Sequence, residues 1–529
     1  MTRILSLLLA ASVVMLVPVQ PANAQLGEQF LLIGTLERFT LDAGAPTDRL
    51  KGATMRVSGH NVVIPRNLLI RFPTRFMSPQ DAFDSVPLSP QVPAGQPLPT
   101  GSRLALDDHA VVPVEVEITG NIVGTRYIAG LVGITQLSLA TGGGYITAID
   151  ATNGRMRVGA VAGAPPQLSD ATIQLNDPNG RFGPKTDVLN FDARFRVDAD
   201  NPSVTADTGY PMCVQATGSP PYCAANNRPP GARLFVMGST QLSPSPAGGL
   251  PVPPCPGCNQ SMMAPLRVGD AIVYSGILHQ LTPTQRIVTV YSIVANVGIY
   301  TAPGIDPAYV RIEGSLEGTA GSPTPRVPPV AAVAPFPQSV SLPDEAQDRF
   351  KVEGFTTDPT RSLAVYALDV NGTTGAQLVR RLFVLDPKSP PAGRFFKVQG
   401  KNSGILFGRD TLLRGNTREI MIRLGPIVPD NTPMSSLTDA AIMMRPLDVP
   451  GDTGVFPGRY VAPVDEYIFM ENKLPGDRLV PNNFECLSFL VNGSGPLDGT
   501  TGPVVGQLVP WPNTIAAPVL NCGTRAALP

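Results

Sequence analysis

The most conspicuous chemical pattern is Cys255-Pro256-Gly257-Cys258, with Cys213 and Cys223 upstream. A C-x-x-C pair becomes redox-active when a helix N-terminus lowers the pKa of one thiol. This pair lies instead in the proline-rich run VPPCPGCNQ, with no strand–helix context, so the pattern reads as a structural disulfide. Cys486 and Cys522 bring the total to six, and an even count in an exported chain implies a disulfide framework. Neighbour proximity pairs Cys213 with Cys223, Cys255 with Cys258 and Cys486 with Cys522. A four-cysteine zinc site needs closely spaced pairs on both sides, and the gap between Cys213 and Cys223 is too long.

Oxygen donors offer a second chemistry. Asp177-Pro178-Asn179-Gly180, Asp198-Ala199-Asp200-Asn201 and Asp369-Val370-Asn371-Gly372 are D-x-[DN] fragments of the kind calcium loops use. None continues to a distal bidentate Glu, and Asx residues build turns without a metal. The fragments therefore read as turns with no cofactor expected; the alternative is calcium, with Asp177, Asn179, Asp198 and Asp200 as its candidate ligands. Asp107-Asp108-His109 is the one place where histidine adjoins carboxylates, and it reads as a solvated loop. His60 sits at a turn and His279 in or beside a strand, so a histidine triad has little material.

Hydrolase elbows, zincin helices and dinucleotide fingerprints are absent. Residues 393–401 miss a P-loop in glycine spacing and in Asn402. Two carboxylates would suffice for a glycosidase, but one Trp and 6% aromatic residues are thin for sugar stacking. Asn259, Asn371 and Asn492 head N-x-S/T sequons, which matter only in a host that glycosylates.

The elements that would position these groups are strands. Of 529 residues, 58 are Pro and 52 Gly, a density that interrupts helices and favours short strands and ordered loops. A 43% hydrophobic content supports real cores, while a net charge of −1 with scattered Lys and Arg lacks the footprint of a nucleic-acid binder. Arg3, the apolar run Ile4–Val19 and Ala22-Asn23-Ala24 form an export signal over residues 1–24. No second long apolar run follows, so no transmembrane span is expected.

The chain is organised around Val114–Val158, the longest strand-like run. It holds a hairpin signal at Asn153-Gly154, and Gly120, Gly124, Gly130 and Gly133 sit at barrel-bending positions. VEVEITG at its start shares a pattern with VGDAIVYSG at Val268–Gly276. Both suit small Greek-key barrels of the OB type. The expected division is a barrel over 25–184 and a second β domain with disulfide-bearing loops over 185–317. A Pro/Ala-rich linker follows over 318–344, then a β-sandwich over 345–471 and a loop-rich tail over 472–529.

The succession VYALDV, Asn371-Gly372, RLFVLD and GRFFKV resembles bacterial Ig-like sandwich domains over about Arg349–Leu424, without a Cys…Trp…Cys core. That resemblance implies a structural or adhesive module. The reading that follows is an all-β, exported, non-enzymatic structural or binding protein of the periplasm, cell surface or extracellular space, with a protein partner or self-assembly. The alternatives are a secreted carboxylate-dependent hydrolase, or a surface polymer subunit in which Gln25–Leu41 or the tail completes a neighbour's sheet.

Overall fold

A computed structural model describes residues 29–48, 51–65, 68–87, 92–134, 140–186, 191–198, 200–215, 223–242, 251–318, 349–370, 377–385, 395–400, 419–437, 457–463 and 466–468. Strands dominate, as the proline and glycine density requires. The signal segment, the linker expected over 318–344, the tail with Cys486 and Cys522, and the Asn371-Gly372 turn lie outside the described residues, the first residue of that linker excepted.

The first ten barrel strands make two closed barrels of identical order. In the first, β1 (Gln29–Leu41), β2 (Ala53–Val57) and β3 (His60–Ile64) form an antiparallel meander, followed by β4 (Glu115–Val123) and β5 (Arg126–Ile134). The long β1 pairs with β4 through Gln29–Thr35 and with β2 through Leu36–Leu41, bending at a register shift between Leu36 and Arg38. A parallel pairing of β3 with β5, Val62 to Tyr127 and Val63 to Ile128, closes the cylinder. The β2–β3 turn uses Ser58 and Gly59, both at positive φ (52° and 78°), which matches the twist of a tight hairpin.

In the second barrel, β6 (Ala140–Asp150), β7 (Arg155–Gly159) and β8 (Ala171–Leu175) form the meander, and β9 (Ala271–Gln280) and β10 (Arg286–Ala295) complete it. Closure is again a parallel pairing of third and fifth strands, Ile173–Leu175 against Val288–Val290. Both are OB-type in strand order. The boundaries differ from the expected ones. The first barrel is complete by Ile134, and the 25–184 stretch also supplies β6, β7 and β8 of the second. The organising run Val114–Val158 thus bridges two barrels rather than building one.

Each barrel carries its long insertion at the same point, between third and fourth strands. The first insertion holds a small hairpin (Ile70–Phe72 with Arg75–Met77) and the helix α1 (Pro79–Asp84). The second runs from 176 to 270, adds Val204–Ala206 as a parallel strand beside β10, and contains both observed disulfides. Each barrel has its own core, and the first barrel's core extends across the junction: Phe195, Ile277 and Tyr291 of the second barrel belong to it together with Phe72, Leu104 and Ile118 of the first.

Beyond them, β11 (Val310–Gly318), β12 (Arg349–Thr356), β13 (Leu363–Val370), β14 (Gln377–Leu385), β15 (Phe395–Gly400), β16 (Glu419–Leu424), β17 (Thr432–Pro433), β18 (Arg459–Pro463) and β19 (Glu466–Ile468) form two sheets, in the orders β15-β12-β11-β19 and β17-β14-β13-β16-β18. Val310, Ile312, Val352 and Phe396 from one sheet and Val365, Ile420 and Ile422 from the other share one core. Its first strand, Val310–Gly318, comes from the stretch expected to end the second domain.

Candidate functional site

The two insertions meet, and a crevice forms where they do. Ser78-Pro79-Gln80-Asp81 starts α1 with a reciprocal capping box: Ser78 Oγ accepts from the Asp81 amide (3.1 Å), and Asp81 Oδ2 accepts from the Ser78 amide (3.3 Å). Pro79 suits the first helical position, where no amide hydrogen is needed. The second insertion contributes a 3₁₀ turn, Ala193–Phe195, capped by Asp192, whose Oδ1 accepts from the Arg194 amide (2.9 Å).

Arg194 ties the two together. Its side chain is fully buried, and its guanidinium donates to Asp192 Oδ2 (2.5 Å), to Ser102 O (2.7 Å) and to Ala82 O (3.2 Å), the last two on the first barrel's insertion. Thr74 Oγ1 adds a bond to Arg196 O (3.0 Å). The Phe72 and Phe195 rings meet edge-on, 5.7 Å apart.

Beside this lock lies a cavity of about 60 Å³. Its walls are mainly apolar: Pro87, Pro99, Leu104, Val111, Val112, Phe195 and Ile277. Three polar residues also line it, Arg103, Asp192 and His279. Burial lowers the His279 pKa, opposed by the charge of Asp192, so the imidazole is held neutral. Its Nε2 has no hydrogen-bond partner, and the ring lies 5.8 Å from that of Phe191. Asp192 is already engaged by Arg194. Arg103 gives one nitrogen to Pro87 O and keeps its remaining donors. Arg103 also holds φ at +55°, a left-handed conformation costly for a long side chain. Among the described residues, none of those lining the crevice is Ser, Thr, Cys or Lys.

Apart from His279, the sequence-derived candidates lie outside this crevice. Cys213–Cys223 and Cys255–Cys258 are disulfides, as expected. Asp177, Asn179 and Asp198 do come together, around a cavity of about 10 Å³, but Arg181 and Arg196 line it too. The buried Asp177 carboxylate accepts from the amides of Arg181 (2.9 Å), Phe182 (2.6 Å) and Gly183 (3.1 Å). Burial nonetheless pushes its pKa up, against those amides. Asp198 accepts from the Asp200 amide (2.8 Å) and from Asn201 Nδ2 (2.8 Å), an Asx-type turn. Among the described residues no three His, Cys, Asp or Glu side chains are grouped to hold a metal ion. Asp107 pairs with Arg38 (2.7 Å) at the surface, Asp108 accepts from Ser102 Oγ, and His109 follows exposed at φ +52°. His60 packs against Tyr127 with the rings tilted by 44° and 4.8 Å between ring centres.

Arg103, Arg194 and Phe195 went unremarked in the sequence because no local pattern marks them. Arg194 is one arginine in FDARF, and its partners are 92 and 112 residues away. Searches against protein-family models, curated proteins and solved structures give no match to this chain.

Proposed function

We propose that the chain is an exported, non-enzymatic binding or structural protein. The observation carrying this reading is that its reactive side chains are engaged in holding the local structure of its loops. Asp192 is held by Arg194, Asp177 by three amides, and four cysteines by two disulfides. Two disulfides suit an oxidising compartment, and no helix among the described residues is long and apolar enough to cross a membrane. A carboxylate hydrolase needs a substrate-sized cleft beside its acids. The cavity beside Asp198 is about 10 Å³, close to the room one water needs. Strand donation by Gln25–Leu41 fares no better: β1 is already paired with β4 through Gln29–Thr35 and with β2 through Leu36–Leu41, so donating it would open its own barrel.

The test is a panel of chromogenic glycosides and esters offered to the purified, unreduced full chain and to Glu419→Gln, which removes the β16 carboxyl that lies within the field of Asp198 and Asp200. No turnover above buffer is expected from either. Turnover by the wild type that vanishes in Glu419→Gln would sink the non-enzymatic reading.

A further inference from the structure

We propose that the crevice between the barrels binds a short-chain monocarboxylate, with its carboxylate on Arg103 and its apolar tail against Val112, Phe195 and Ile277. The proposal rests on the reading of the chain as a binding protein and names the ligand class.

Size comes first. About 60 Å³ is several times the roughly 10–15 Å³ that one water requires, so the space suits a molecule of about four to six heavy atoms. Charge comes next. Arg194 neutralises Asp192 through contacts of 2.5 and 2.9 Å, and desolvation keeps His279 neutral. Arg103 is left as the charge among the lining residues without an opposite partner, bonded only to the carbonyl of Pro87. An anion is therefore attracted, whereas an amine or metal ion would meet Asp192 already occupied. A multiply charged oxyanion would need more donors than one guanidinium and one imidazole, and its remaining oxygens would face Pro, Val and Ile. A monoanion with a small branched or linear tail satisfies both halves of the wall.

Backbone strain supports the same assignment. A left-handed arginine persists only where its surroundings hold it, and such strain clusters where a side chain must be aimed. Glycine would adopt φ +55° freely, which supplies a clean variant.

The full chain, unreduced and labelled with ¹³C at histidine Cε1, has three histidines to follow by NMR. Isobutyrate is titrated against isobutyramide, its neutral isostere, and against sulfate. A saturable shift of the His279 signal with isobutyrate is expected, with isobutyramide and sulfate at least about tenfold weaker. Arg103→Gly should melt at or above the wild-type temperature and lose about tenfold or more in isobutyrate affinity. Equal binding by Arg103→Gly, equal binding of the amide, or no saturable shift would each overturn the proposal. Should Arg103→Gly not fold, Val112→Phe, which fills the crevice, must abolish the shift, and unchanged binding there would overturn it equally. The chromogenic panel run on the same sample keeps the two readings apart: turnover with Arg103-dependent binding refutes only the non-enzymatic reading, and silence in both refutes only this one.

Discussion

Arg194 shows how a single side chain can hold two modules together. A guanidinium wholly out of water is costly unless its donors are met, and here Asp192, Ser102 O and Ala82 O meet them. Arg194→Met keeps much of the volume but strands the Asp192 carboxylate and two carbonyls. A loss of about 3–5 kcal/mol in urea unfolding is expected, with most of it recovered when Asp192→Asn is added. An additive double mutant would show that the pair is not coupled. Residues such as this are illegible in a sequence because their meaning lies in partners brought by folding. The disulfides were legible for the opposite reason. Cys213–Cys223 and Cys255–Cys258 are separated by 10 and 3 residues, so proximity along the chain already selected them. Asp177 falls between these extremes. Its turn chemistry was readable, but not the two arginines that share its cavity.

At the scale of elements, the shared pattern VEVEITG and VGDAIVYSG turns out to be one structural device used twice. Each ends in a glycine of its barrel's fourth strand, Gly120 in β4 and Gly276 in β9, and each glycine sits at a register shift. A Cβ on Gly120 would lie 2.1 Å from Ile128 O, and one on Gly276 2.3 Å from Thr289 O, so the neighbouring strand can approach only a glycine. Gly120→Ala should therefore cost about 2–4 kcal/mol. Gly124→Asn is the control: Gly124 has φ +62° but nothing within 4 Å, and Asn tolerates that conformation. Comparable losses in the two variants by chemical denaturation would refute the bulge argument. Of the glycines expected to bend the barrel, Gly120 does sit at a bulge, whereas Gly124 lies in the turn between β4 and β5. The β6–β7 hairpin at Asn153-Gly154, where Gly154 stands at φ +63°, was also visible in the sequence. The division between barrels was not. Closure depends on β3–β5 and β8–β10, parallel pairings between strands more than sixty residues apart, and local alternation carries no record of them.

The whole molecule adds a junction that no local pattern announced. Asn201, in the second barrel's insertion, uses both amide atoms on the edge strand β18: Nδ2 donates to Val461 O (2.6 Å), and the Val461 amide donates to Asn201 Oδ1 (2.8 Å). The side chain stands in for one residue of a partner strand and covers part of the sandwich edge. Asp198 holds that amide in place. Glu419, at the start of β16, accepts from Gln377 Nε2 (2.9 Å) and lies within the field of Asp198 and Asp200. Burial first, then those two charges, pushes the Glu419 carboxyl up to about 8, and burial with Asp200 pushes Asp198 to about 6. A carboxyl whose folded pKa lies above its unfolded value binds its proton more tightly in the folded state. Its stabilisation is fully present below the unfolded value, 4.5 for Glu, and is lost as pH rises through about 8. The barrel–sandwich junction should therefore be tightest in mild acid. Melting followed from about pH 5 to about pH 9 should show the wild type weakening across that range. Glu419→Gln, which keeps the Gln377 contact without the charge, should flatten the upper part of the profile, leaving the smaller loss between about 4 and 6 that belongs to Asp198. A wild-type profile flat above about pH 6, or a Glu419→Gln profile as steep as the wild type, would place the junction's stability elsewhere than in these carboxyls.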